Sequence, residues 1–135
     1  MVPLYVRCSR CGGNLMDPDH RVDGQPGICL GLESDGCRGM IWLSCLYGSY
    51  AVDASVPMTD GEIVALRCPA CGEDLTSAHV CDKCGAPMAP LRIDTGGIVE
   101  ICRRKGCRNH YLEFADEKDL ARFYDALGTF LRPPP

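Results

Sequence analysis

Three Cys-x-x-Cys-Gly knuckles, a wider fourth cysteine pair and short β-prone runs between them predict a small, metal-stabilised, mainly antiparallel β fold, followed by one C-terminal amphipathic α-helix. The 135 residues suit one domain, or two very small ones sharing a surface. Hydrophobic residues make up 46% and charged residues 24%, which places the chain among globular rather than disordered sequences. A single Trp and three Phe leave the core poor in large side chains, and such a core needs metals or disulfides.

The cysteines choose between those two. There are eleven, an odd number, and six of them sit in Cys-x-x-Cys pairs, a spacing that suits two ligands on one metal. The opening residues MVPLYVRC lack the basic region and apolar stretch of a secretory signal, so a cytoplasmic chain is expected, where paired cysteines serve metal rather than disulfides.

The knuckles read Cys8-Ser-Arg-Cys11-Gly12, Cys68-Pro-Ala-Cys71-Gly72 and Cys81-Asp-Lys-Cys84-Gly85. Glycine after the second cysteine can take the positive φ of a tight turn that aims backbone N–H groups at the thiolates. Cys102 and Cys107 form the fourth pair, with Gly106 before the second cysteine. Strands are predicted at 4–7, 28–32, 40–46, 50–56, 63–67 and 98–101, with turn signals at Asp23-Gly24, Asp35-Gly36 and Asp60-Gly61. Beyond Phe114 the period changes. Leu120, Phe123, Tyr124, Leu127 and Leu131 follow helical spacing behind the acidic Asp116, Glu117 and Asp119, predicting a helix over 115–131. The expected units are an N-terminal ribbon with a β-rich insertion (1–76), a second ribbon (77–114) and the helix.

Tetrahedral zinc takes four ligands, and four cysteines are a common structural set. Cys81, Cys84, Cys102 and Cys107 make one, with 17 residues between Cys84 and Cys102 for a hairpin. For the other, Cys8 and Cys11 can join Cys68 and Cys71 across 56 residues, or Cys29 and Cys37 across 17. Loop closure favours the shorter route by only about 1 kcal/mol, small beside the roughly 10–16 kcal/mol of a structural zinc site. The second option strands the well-formed Cys68/Cys71 knuckle, so the first is preferred. Two zinc ions are then expected. Alternation makes Cys29 and Cys45 small core residues. A third site remains a rival reading, from Cys29, Cys37 and Cys45 with His20, or from Cys45 with Cys68, Cys71 and His79. His110, three residues past Cys107, is a further substitute ligand.

The pattern CxxCG…LSxLYGSY…GEIVxxxCPxCG…CxxCGAPM…GGxVxICxxxGCxxHyxEF, which spans nearly the whole chain, resembles small bacterial double zinc-ribbon proteins without an assigned activity. It runs through Leu43-Ser44-Cys45-Leu46-Tyr47-Gly48-Ser49-Tyr50 and ends at Cys102, Cys107, His110 and Phe114. The resemblance implies two fused zinc ribbons and pairing of the first two knuckles with each other. It does not require Cys29, Cys37 or Cys45.

Composition and motifs thin out the function classes. The net charge of −4 is not that of a general nucleic-acid binder. No apolar run approaches the ~18–20 residues of a membrane span, so no membrane partner is expected. Catalytic zinc needs an open ligand position, which two closed four-cysteine sites do not offer, and the H-E-x-x-H, G-x-S-x-G and deaminase patterns are missing, so no enzyme is expected. The leading expectation is a structural zinc protein acting as an interaction module or accessory subunit of a larger protein, with Tyr47 and Tyr50 as contact residues and Trp42 in the core. One alternative is a nucleic-acid contact through Arg103, Arg104, Lys105 and Arg108 around the last knuckle. The other is an iron electron carrier, since the CxxCG and CPxCG knuckles resemble those of rubredoxin and four thiolates also hold iron.

Overall fold

In the computed structural model, which describes residues 2–107, 109–113, 118, 121, 122 and 125, nine strands form two antiparallel sheets. Two Asp-Gly turns build the first sheet. Asp23 and Gly24 (φ 56° and 73°) join β2 (Met16–Val22) to β3 (Gln25–Ser34). Asp35 and Gly36 (φ 49° and 77°) join β3 to β4 (Cys37–Leu43). Two successive positive φ values make the type I′ turn, whose twist matches the strands it connects. The sheet continues to β5 (Val52–Ala54). β2 and β6 (Ala65–Arg67) share one edge of β3, with Met16 opposite Ile28 and Leu66 opposite Leu32.

The second sheet has the order β1 (Val6–Cys8), β7 (Met88–Ile93), β8 (Ile98–Cys102), β9 (His110–Glu113). β1 thus pairs with a strand from beyond residue 76, with Cys8 opposite Leu91. The residues just before it belong to the other half: Leu4 N–H donates to the Cys45 carbonyl (2.7 Å) and Tyr47 N–H to that of Val2 (2.8 Å). One N-terminal run therefore ties both sheets together.

Side chains alternate across strands, and this sets the core. Ile28, Leu30 and Leu32 of β3 point inward and meet Leu91 and Ile93 of β7 and Val99 and Ile101 of β8 in one buried cluster. Each fully buried Leu or Ile stabilises the fold by about 1.5–3 kcal/mol. Cys45 is in this cluster, as alternation predicts, but Cys29 is not. It occupies an outward position of β3, opposite Trp42 of β4. Trp42 likewise lies half-buried on the outer face instead of in the core. It donates from Nε1 to Asp17 (3.0 Å), and the His20 ring stacks on it at 3.8 Å and 4° while holding Asp53 at 2.6 Å.

Gly27 makes that stack fit. A Cβ there would come within 2.7 Å of the His20 carbonyl oxygen and 3.2 Å of Trp42 Cβ. Gly27→Ala is expected to destabilise the protein by about 1–3 kcal/mol, the usual cost of overpacking. Urea unfolding would measure it, and an unchanged midpoint would refute the contact.

The strands β2, β7 and β9 lie outside the sequence expectation. β2 and β7 carry Pro18 and Pro90, and proline lacks a ladder N–H. Pro18 falls in the irregular stretch between Asp17 and Arg21 where the register shifts. Pro90 lies just past the last β1 pair, Cys8 with Leu91, where β1 has left the ladder. The helix expected over 115–131 lies outside the described residues except for Lys118, Ala121, Arg122 and Asp125. These are exposed residues with helical backbone, too few to define an element. No helix among the described residues is long and apolar enough to cross a membrane.

Candidate metal centres

Each Cys-x-x-Cys-Gly segment folds on itself in the same way. The N–H of Cys8 donates to the Gly13 carbonyl (2.9 Å), and Gly12 N–H donates back to Cys8 (3.0 Å). Cys68 with Glu73 and Gly72, and Cys81 with Ala86 and Gly85, repeat the pattern at 2.8–3.1 Å. Gly12, Gly72 and Gly85 have φ of 74°, 75° and 76°, the left-handed conformation this turn requires. The turn then aims amides at sulfur. Arg10 and Cys11 N–H approach Cys8 Sγ at 3.3 and 3.4 Å, and Ala70 and Cys71 N–H approach Cys68 Sγ at 3.4 and 3.5 Å. In the fourth knuckle Cys102 N–H donates to Asn109 and Cys107 N–H to Arg104, with Gly106 at φ 91°.

The knuckles meet in pairs. Cys8, Cys11, Cys68 and Cys71 form one group of four sulfurs, and Cys81, Cys84, Cys102 and Cys107 form the other. Sulfur separations are 3.9 Å for Cys8–Cys71, 3.8 Å for Cys11–Cys68, 3.7 Å for Cys81–Cys107 and 3.4 Å for Cys84–Cys102. A tetrahedron with metal–sulfur bonds of about 2.3 Å has edges of about 3.8 Å, whereas a disulfide would bring sulfurs to about 2.05 Å. All eleven cysteines are free. Both groups could therefore hold a metal ion, and the preferred pairing of the first two knuckles is the one the fold makes. The leading cysteine of each glycine knuckle is buried: Cys8, Cys68 and Cys81 are 0%, 1% and 2% exposed. Cys11 and Cys71 reach the surface.

The electrostatics fit a cation. At Cys8 burial opposes the thiolate, but the Cys11 and Arg10 amides outweigh it and lower the pKa to about 7. Cys84 is drawn down to about 6 by the Ala86 amide and the Arg104 guanidinium. Their neighbours move the other way. The Glu73 amide favours the Cys71 thiolate, yet burial and the sulfurs of Cys68, Cys11 and Cys8 push it up to about 12. Burial also raises Cys102, together with the sulfurs of Cys84, Cys107 and Cys81, against the Arg104 amide. Sulfurs this close resist ionising together, and a divalent ion at their centre removes the conflict.

The rival third site is not assembled. Cys29 faces outward under Trp42, Cys37 is exposed at the start of β4 and Cys45 is in the core. His20 is taken up by Trp42 and Asp53, and His79 by the buried Glu100 (3.1 Å). Among the described residues no further group of three ligands comes together. His110 lies in β9, and its side chain is outside the described residues, as is Arg108.

The basic knuckle turns inward. Arg103 donates from Nε to the Val64 carbonyl (2.8 Å) and from Nη1 to Thr76 (2.5 Å) and Asp74 (3.3 Å). Arg104 donates to the Gly61 carbonyl (2.9 Å), and Lys105 pairs with Asp60 (3.2 Å). Tyr47 and Tyr50 line a cavity of about 200 Å³ that also touches Leu43, Val52, Met58 and Cys107, between loop 47–50 and the last knuckle. Tyr50 is exposed and Tyr47 packs partly against the core.

Sequence reasoning passed over a repeat that the geometry makes plain. Val6-Arg7-Cys8 to Leu15 and Leu66-Arg67-Cys68 to Leu75 are one unit. Arg7 and Arg67 each reach the carbonyl of the knuckle glycine (3.3 and 3.4 Å), and each bridges the residue before the closing leucine, Asn14 or Asp74. Leu15 and Leu75 are both fully buried. The signal was present as arginine before the first cysteine and leucine four residues after the second. No family model, curated protein or solved structure matches the chain, so its likeness to double zinc-ribbon proteins rests on the two cysteine groups alone.

Proposed function

We propose that the chain is a structural zinc protein that serves as an interaction module or small accessory subunit of a larger protein in a reducing, cytoplasmic compartment. The observation that carries this reading is the closure of both centres. Each offers four thiolates and no carboxylate or histidine among the described residues, which suits metal as a fastener and leaves no position for substrate. The loop around Tyr47 and Tyr50 is the contact surface in this reading. It stands over an apolar cavity, and tyrosines are favoured at interface centres. Zinc is the assigned metal because a closed tetrathiolate matches its structural sites.

Two alternatives have different support. The phosphate-binding reading loses support because Arg103, Arg104 and Lys105 are engaged with protein groups. The iron reading keeps one supporting observation: Cys11 and Cys71 lie at the surface, where an electron could reach the first centre.

The test is capture from native lysate with wild type and Tyr50→Ala, together with metal analysis. The expected result is colourless protein with zinc and one partner at stoichiometric yield. Tyr50→Ala should lose that partner while keeping its melting temperature and metal content. No partner, together with nucleic-acid binding that falls steeply with salt, would overturn the proposal. A coloured, iron-containing product would favour electron transfer.

A further inference from the structure

We infer that the two metal centres are thermodynamically coupled: filling the Cys81/Cys84/Cys102/Cys107 centre tightens metal binding at the Cys8/Cys11/Cys68/Cys71 centre. The inference rests on the metal-centre reading above and adds how occupancy of one centre regulates the other.

The connection is a short antiparallel ribbon that neither sheet contains. Residues 61–64 pair with residues 103–105. Val64 N–H donates to the Arg103 carbonyl (2.9 Å), Lys105 N–H to Glu62 (2.7 Å) and Gly61 N–H to Lys105 (2.9 Å), and Ile63 bridges Arg104. One strand of the ribbon is the loop between two ligands of the second centre, Cys102 and Cys107. The other runs into β6, which ends one residue before Cys68 of the first centre.

Arg103 adds a grip on both sides of the Cys68–Cys71 knuckle. Its guanidinium holds the Val64 carbonyl ahead of the knuckle, and Asp74 and Thr76 behind it. Only 11% of this side chain is exposed, so the contacts are well shielded from water. Arg104 points back to the Cys84 thiolate while its Nη1 holds Gly61. A metal drawing Cys102 and Cys107 onto Cys81 and Cys84 fixes the ends of loop 103–106. The fixed loop sets the ribbon, and the ribbon sets the entry and exit of the first centre's second knuckle. Ordering done by the first ion need not be repeated for the second. Linkage makes the effect reciprocal, so filling the first centre tightens the second by the same factor.

Co²⁺ on the reduced full chain is the probe, because a tetrathiolate environment gives it visible and charge-transfer bands. In Cys84→Ser, Co²⁺ affinity at the first centre is expected to fall about ten-fold or more below its wild-type value, within the usual range of coupling between sites. Arg103→Ala keeps all eight ligand thiols. It should fill its two centres independently where wild type fills cooperatively, and the amides of Gly61, Val64 and Lys105 should exchange faster. An unchanged first-centre affinity in Cys84→Ser, or superimposable filling curves for wild type and Arg103→Ala, would refute the coupling while leaving both centres in place. If Cys84→Ser does not fold, the Arg103→Ala comparison decides alone. Wild type giving no tetrathiolate bands would instead remove the metal reading itself.

Discussion

Stripping metal from the reduced chain with a strong chelator is expected to abolish its cooperative thermal transition and its near-UV circular dichroism, and added zinc should restore both. The size of the effect follows from where the sulfurs lie. Cys8 and Cys68 are members of the central hydrophobic cluster, beside Leu15, Leu75 and Leu91. They are the leading cysteines of the first group of four sulfurs, so the core and the candidate metal centre share residues. Among the described residues the largest fully buried side chains are four Leu, one Val and four Cys, with no aromatic residue among them. A domain of this kind has about 5–15 kcal/mol of net stability, whereas a structural zinc contributes roughly 10–16 kcal/mol at neutral pH. Even one ion is therefore comparable to the whole margin. Without the ion, four sulfurs packed 3.8–3.9 Å apart across the first group are left with partly opposed ionisation and no cation. Metal-free protein that kept a sharp melt and its native near-UV spectrum would show that the apolar core suffices.

The parts of this fold legible in the sequence are those set by local chemistry. Glycine after the second cysteine of three knuckles announces the turn, because its positive φ lets the backbone aim amides at sulfur. Asp23-Gly24 and Asp35-Gly36 announce the hairpins because type I′ turns need two positive φ values. The ligand pairing was legible as a preference, since closing the first knuckle on Cys29 and Cys37 would strand the well-formed Cys68/Cys71 knuckle. What was hidden depends on distant contacts. β1 reads as the lead-in to the first knuckle, yet it pairs with β7, more than eighty residues away. Pro90 makes β7 look unlike an interior strand, and only the early departure of β1 makes room for it. The outward placement of Cys29 and Trp42 is a matter of phase, decided by which of two alternating sets in β3 carries Ile28, Leu30 and Leu32. The cations of 103–105 resemble a phosphate patch because charge in a sequence does not disclose its partner. Here the partners are Val64, Gly61 and Asp60, two knuckles back along the chain, and Asp74, one knuckle back.

Cys68→Ser is the substitution expected to do the most damage, and its contrast with Cys37→Ser separates the two ways of assembling the first centre. Cys68 is 1% exposed, its sulfur takes the Ala70 and Cys71 amides at 3.4 and 3.5 Å, and it lies 3.8 Å from Cys11. Serine there is a poor ligand and leaves a hydroxyl in the core. Bound zinc should drop from two ions per chain to one, with more than about 4 kcal/mol lost, in the range reserved for losing a metal. Because the centres are linked through Arg103, the remaining ion should also be held less tightly than in wild type. Cys37 is exposed at a hairpin and touches neither group, so Cys37→Ser should keep both ions and change stability by no more than about 0.5 kcal/mol. Cys29→Ser should also keep both, since that side chain faces Trp42. Elemental analysis of the three purified variants reads the outcome directly. Zinc lost from Cys37→Ser or Cys29→Ser but kept by Cys68→Ser would mean that the first knuckle closes on the hairpin, and the shared core described here could not then form.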